Sequence, residues 1–260
     1  MAARAKLIIA YLGTHFCGWQ RQAVGRSVQG ELEAALTAML RHPTTVTGAG
    51  RTDAGVHAQG QVAHLELPGP VPPPALVRGL NARLASDVRI RAAALVAPDF
   101  DARRDARAKR YVYRLRWRAS SLPWHDLRCA TRPLIGQPEA LGDALELLVG
   151  EHDMASFTVP DPGPPATLRI LHRVECRHLG AGLDLHFVGQ GFLRYQVRRM
   201  VGAALEVGDG RRDLAWLAGL LEEPRPGAPI RTAPARGLTL ERVYYRGFGP
   251  PGTAVLDSAP

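Results

Sequence analysis

The stretch LRILHRVECRHLGAGLDLHFV, residues 168–188, reads as two strands, Leu168–Cys176 and Leu183–Val188, turned back on each other at the glycine-rich Gly180–Gly182. Outward from this hairpin, Pro138–Val149 is helical and stopped by Gly150, and Arg110–Trp117 before it is a strand. Downstream, Leu193–Val207 is helical with Val197, Val201 and Leu205 as its buried stripe, a short helix lies near Leu214–Leu221, and Leu240–Tyr245 is a last strand. The order is βαββαβ with insertions, the split ferredoxin-like pattern.

The first half repeats that order. Lys6–Leu12 is strand-like, a helix follows the cap candidate Ser27, Thr44–Gly48 and Gln61–Leu67 are strands, Pro74–Leu84 is a helix, and Val88–Val96 is a strand. The expected fold class is therefore α+β. Two βαββαβ halves join into one extended, mainly antiparallel sheet with helices on one face and a central basic cleft. Residues 1–104 form an N-terminal lobe, 105–247 a C-terminal lobe and 248–260 a tail.

The chain has 260 residues, 46% of them hydrophobic, so it can bury a full core. Lysine and arginine number 33 against 24 acids, a net charge of +9, which attracts polyanions and puts nucleic acid first among partners. The cysteines, Cys17, Cys129 and Cys176, are too far apart for a CxxC motif and fit a reducing cytoplasm. No apolar run approaches a membrane span, the nine histidines show no HxH or HxxxH pattern, and no phosphate-binding glycine loop follows a strand. Neither metal nor cofactor is expected.

One difference between the halves localises function. The hairpin of the second half turns on a minimal loop, whereas the matching connection in the first is all of Ala49–Gly60, AGRTDAGVHAQG. Excess length at one of two matched positions points to function. Glycines there let the backbone approach a ligand, and Arg51 and Asp53, two apart, project to one side of an extended chain. The plainer reading has Asp53 capping a turn and Arg51 as a surface charge.

Other clusters are basic. In AKRYVYRLRWR, residues 108–118, Tyr111, Tyr113, Leu115 and Trp117 alternate with Arg110, Val112, Arg114, Arg116 and Arg118. That is an aromatic core face against a solvated one, or a stacking platform with a basic groove. Tyr111, beside Lys109, is the residue expected to reach a base. Arg103, Arg104, Arg107, Lys109 and Arg110 in the linker suit phosphate contacts, or simply solvation. Arg194 and Arg198 lie four apart near the start of a helix, where the dipole prefers anions, which points to a carboxylate or phosphate partner for Arg198.

Seven motifs, in order, carry a resemblance that runs from about residue 5 to 246: GWQRQ (18–22), SVQ (27–29), AGRTDAGVH (49–57), GQVAH (60–64), KRYVY (109–113), FLRYQVRRMVG (192–202) and RGLTLERV (236–243). The sequence resembles the bacterial tRNA pseudouridine synthase A family. The resemblance implies isomerisation of uridine to pseudouridine in the anticodon stem-loop of tRNA, around positions 38 to 40, by a cofactor-free homodimer. By motif position it implies Asp53 as the catalytic aspartate, Tyr111 as the tyrosine that stacks on the base, and Arg198 as the aspartate's basic partner. It likewise implies Leu238 as the apolar residue lining the pocket and Arg51 as the arginine that holds the base out of the stem. The chain departs from the pattern at Tyr11-Leu12-Gly13, where Tyr-Asp-Gly is common, at Arg194-Tyr195-Gln196, and at Arg199, where asparagine is common.

For RNA contact, Arg103, Arg104, Lys109 and Arg118 are the backbone candidates. A non-catalytic RNA-binding protein or chaperone on the same platform is the alternative, and a synthase acting on another RNA is a third. The lone acid separates the first two, because a pure binder has no use for Asp53 beside RNA.

Overall fold

The computed structural model describes residues 3–159 and 166–245. By contact the chain divides into two compact units, one running to Arg107 and resuming at Thr239, the other spanning Ala108–Leu238.

In the first unit Ala3–Tyr11 (β1) leads to Val28–Leu40 (α1), Val46–Gly48 (β2), His57–Leu67 (β3), Pro73–Asn81 (α2) and Val88–Val96 (β4). β1 lies between β4 and β3, antiparallel to both, and β2 pairs antiparallel with β3. This is the sheet order expected of a split βαββαβ unit. Alternation sets its faces: Ala5, Leu7, Ile9 and Tyr11 are buried while Arg4, Lys6, Ile8 and Ala10 are only half-buried. Val28, Leu32 and Leu36 of α1 and Leu76 and Leu80 of α2 are buried as well. Ser27 caps α1 as its sequence implies, accepting from Gly30 N at 3.2 Å.

The second unit contains Ala108–Trp117 (β5), Ala130–Arg132 (β6), Pro138–Glu146 (α3), Gly150–Asp153 (β7), Leu168–Leu179 (β8), Gly182–Gly189 (β9), Gln196–Gly208 (α4) and Leu214–Glu222 (α5). β9 pairs antiparallel with β5 and β8, β7 lies antiparallel outside β8, and β6 runs parallel to the end of β5. Tyr113, Leu115, Leu185 and Phe187 are buried with Met200 and Val201 of α4. Leu205 is only half-buried, so the stripe assigned to that helix shifts to Val197, Met200, Val201, Ala204 and Val207.

Leu238–Tyr244 (β10) changes the domain reading. The sequence assigns this strand to the second half and places the boundary at residue 104. In the structure the first unit extends to Arg107, and the chain from Thr239 belongs with it. There it pairs parallel with the start of β3, Thr239 opposite His57 and Leu240 opposite Ala58. Arg107 N donates to Tyr244 O at 2.7 Å and the Tyr245 hydroxyl to Ala102 O at 2.7 Å. One edge of β3 is thus shared, β2 taking its end and β10 its start. The tail at 248–260 lies outside the described residues, of which no helix is long and apolar enough to cross a membrane.

Candidate active site

The long connection of the first unit is held by the segment that leaves β1. Trp19 N donates to Thr52 O at 3.1 Å, Gly55 N to Phe16 O at 3.3 Å, and Gly13 N to His57 Nδ1 at 2.9 Å. On the other side Ala49 N donates to Val62 O at 2.7 Å and the Gln61 amide to Gly50 O at 2.8 Å. Gly13 and Gly18 make these approaches possible. A Cβ at Gly13 would lie 2.0 Å from Val56 O, and one at Gly18, where φ is +114°, would lie 2.7 Å from Thr52 O.

Within the loop the side chains alternate as an extended backbone requires. Arg51 is exposed, Thr52 buried and Asp53 half-buried. Thr52 turns inward and its Oγ1 shares a 2.8 Å hydrogen bond with the buried Tyr11 hydroxyl. Burial pushes the Tyr11 phenol up to about 12, against the bonds from Thr52 and Gln61, so it stays protonated at neutral pH. Val56 N donates to Asp53 O at 3.1 Å and closes a tight turn at Gly55, where φ is +79°. Asp53 therefore sits on a backbone fixed before and after it.

The sequence motifs flanking the loop also do structural work. Gln29 of SVQ accepts from the Gln20 amide at 2.7 Å and from Arg21 N at 2.9 Å, and donates to Glu33 and Val46 O. In the linker, Asp101 accepts from Arg103 N and Arg104 N, and those bonds hold its carboxyl below the ordinary range. Arg103 and Arg104 are exposed.

In the second unit Tyr111 is buried, 6% exposed, with its ring edge-on to Phe192 at 5.2 Å. Lys109 is half-buried, and Arg118 lies past the strand in a short 3-10 turn and is exposed. Arg194 precedes α4, so it does not share a helix face with Arg198, yet both guanidinium groups lie over the ring of Tyr195, at 5.0 and 5.1 Å. Arg198 Nε donates to Ala233 O at 2.8 Å, and Ala233 N returns a bond to Arg198 O at 3.1 Å. The same strap receives the hydroxyl of buried Tyr113 at Pro234 O, 3.0 Å, and leads to Leu238, also buried.

Arg199, given no role from sequence, is buried and spends its guanidinium on three carbonyls. It donates to Ala228 O at 2.6 Å, Ser156 O at 3.1 Å and Ile230 O at 3.4 Å, leaving Nε without a partner. It clamps the strap to α4. No motif signals this, because a buried arginine satisfied by backbone has no sequence pattern. Tyr11, Thr52, His57 and Tyr195 likewise take no role from sequence alone. The first two could have been found from the alternation of β1 and of the loop.

Among the described residues no three histidine, cysteine or acidic side chains gather as metal ligands. The first unit carries one carboxylate, Asp53, on a braced loop, and the second carries a tethered guanidinium, Arg198, on α4 and a buried tyrosine, Tyr111, on β5.

A family model described as tRNA pseudouridine synthase matches residues 7–105 and 144–246, and the chain belongs to that family. It is 41% identical over 248 residues to a Geobacillus kaustophilus protein named tRNA pseudouridine synthase A, covering 94% of this chain and 95% of that one. A Myxococcus xanthus protein of that name is 41% identical over 252 residues, covering 95% and 94%, and one from Frankia casuarinae is 42% identical over 247, covering 93% and 89%. A solved structure titled as a Cbf5-Nop10-Gar1 complex is 12% identical over 77% of this chain and 45% of its own, with a TM-score of 0.36, too loose a likeness to bear on the fold.

Proposed function

We propose that the protein converts uridine to pseudouridine in the anticodon stem-loop of tRNA, around positions 38 to 40, with Asp53 as its nucleophile. The observation that carries this reading is the Asp53 loop, residues 49–56 between β2 and β3 where the second unit spends a tight turn, braced through Thr52 and Val56 while the carboxylate remains half-exposed. The reaction is an isomerisation. The C1′–N1 bond breaks, a C1′–C5 bond forms, and the proton on C5 moves to the freed N1, so no atom is gained or lost.

One carboxylate is enough for this. It either adds to the uracil ring or removes a sugar proton to form a glycal-like species, and both routes need it ionised. Arg198 supplies the counter-charge that favours the ionised form. The target base leaves the stem, at a cost of a few kcal/mol. Arg51, exposed on the same loop as Asp53, takes the vacated place. Tyr111 stacks on the base and Leu238 lines its pocket, with stacking returning roughly 1–3 kcal/mol. Arg103, Arg104, Lys109 and Arg118 hold the phosphates. The protein works as a homodimer in the cytoplasm, which suits three free cysteines.

The test is to incubate wild-type, Asp53→Ala and Arg198→Met proteins with unmodified tRNA transcripts and map pseudouridine. Product at positions 38 to 40 with wild type alone is the expected result. Product from Asp53→Ala would remove the nucleophile assignment, and full turnover by Arg198→Met would remove the counter-charge. No product from a folded wild-type protein would overturn the function.

A further inference from the structure

Two non-glycine residues of the described chain have positive φ, Arg41 and Tyr195. Arg41 ends α1, a common place for a left-handed residue. Tyr195 begins α4 at φ 61°, ψ −2°, and a helix start asks for the opposite: extended backbone and a side-chain oxygen accepting from the first turn. Tyr195 makes no such cap bond. The left-handed region is sterically poor for a residue with a bulky ring, so the surrounding structure must impose it.

What the strained backbone achieves is the placement of the ring. The guanidinium carbon of Arg198 lies over it at 5.1 Å, while Arg198 Nε is hooked to Ala233 O at 2.8 Å. Arg194 covers the ring as well, at 5.0 Å, with a hydrogen bond to the Tyr195 hydroxyl at 3.4 Å. The Nε bond fixes one nitrogen of the group, and the ring under its carbon adds a second constraint on where the two terminal nitrogens point.

We propose that Tyr195 is a positioning residue: its ring, set by a left-handed backbone, holds the Arg198 guanidinium in the orientation its counter-charge role requires. The inference rests on the proposed role of Arg198.

Tyr195→Asn deletes the ring and suits the left-handed backbone, as does Tyr195→Gly, whereas Tyr195→Phe keeps the ring. The measurements are kcat at saturating tRNA transcript, tRNA affinity, and the thermal melt. Both ring-free variants should lose about tenfold in kcat, the scale of one cation–π contact, with tRNA affinity within about twofold of wild type. Their melts should stay close to wild type, and Tyr195→Phe should keep most of the rate. In an Arg198→Lys background, which has no guanidinium to orient, Tyr195→Asn should cost less than about twofold more.

Ring-free variants with unchanged kcat overturn the inference. So does a loss that appears in tRNA affinity instead, which would mean that Tyr195 touches the RNA itself. So does an equal loss in the Arg198→Lys background. Failure of the underlying reading looks different: a wild-type protein without product, or Arg198→Met at full rate, takes away the role of Arg198 and this inference with it.

Discussion

Gly13→Ala tests whether the Asp53 loop is held in place by its neighbours. A methyl group at position 13 would lie 2.0 Å from Val56 O, 2.5 Å from Val56 C and 2.9 Å from Gly55 C, against ordinary contact beginning at 3.4 Å. All three atoms are backbone, so no side chain can swing aside. Relieving the contact requires about 1.4 Å of relative movement between the segment after β1 and the turn that follows Asp53, on the scale where misplacement costs about 100-fold in rate. The movement also stretches the Gly13 N–His57 Nδ1 bond, now 2.9 Å, and overpacking of this kind costs about 1–3 kcal/mol of stability. Single-turnover formation of pseudouridine on a tRNA transcript is the assay, with a thermal melt alongside. Gly69→Ala is the control, since a Cβ there meets nothing within 4 Å. The expected result is a folded Gly13→Ala protein that binds tRNA and reacts about 100-fold more slowly. A folded variant within about threefold of wild type would refute the idea that this packing sets the position of Asp53.

Tyr11→Phe and Thr52→Val each break the same 2.8 Å bond, so in a double-mutant cycle on turnover the pair should lose little more than either alone, with coupling of about 0.5–1.5 kcal/mol; strict additivity would count against a shared role. Arg199→Met leaves three carbonyls without their donor and should lower unfolding free energy by about 3 kcal/mol, read as a drop in the urea midpoint at constant slope. Burial, the largest influence on it, lowers the His64 pKa below its ordinary 6.5, and its Nδ1 accepts from Ala102 N at 3.0 Å. The unfolded chain then binds the proton more readily, so stability is full above pH 6.5 and declines as pH falls towards the folded value. A His64→Gln protein should show a shallower decline over that window in melts taken as a function of pH. Binding to tRNA should weaken at least about tenfold between low and physiological salt, and a flat response would contradict the phosphate contacts assigned to the arginines.

How far the sequence could be read followed the strength of local signals. α1 and β4 were legible almost to the residue, the first because Ser27 supplies a cap, the second because Val88 and Ile90 alternate with Arg89 and Arg91 and no glycine or proline interrupts the segment. β3 starts at His57, four residues before its expected start, since HAQG has poor strand propensity and is fixed by pairing with β10, a contact far away in sequence. β6 and β7, of three and four residues, carry too little pattern to see. α4 starts at Gln196, three residues later than read, because the left-handed backbone of Tyr195 breaks the helical spacing, and no residue-type rule anticipates a tyrosine there. The same limit hid Arg199, whose partners are carbonyls 29 to 43 positions away in sequence.

The alternation of the Asp53 loop was legible for a simpler reason: an extended backbone forces residues two apart to one side, whatever the loop is for. That geometry gives Thr52 a structural part of its own beside its charged neighbours. With Arg51 exposed and Asp53 half-buried, the side chain between them is the one the core can grip, and it is gripped by the hydroxyl of the buried Tyr11. A hydrophobic residue at position 52 would keep the burial and lose the direction, because dispersion contacts are isotropic while a hydroxyl–hydroxyl bond is not. The prediction is therefore asymmetric. Thr52→Ser, which keeps the hydroxyl and loses a methyl, should retain far more activity than Thr52→Val, which keeps the volume and loses the bond. If the order is reversed in turnover measurements on folded proteins, packing rather than hydrogen-bond direction sets the position of the acid.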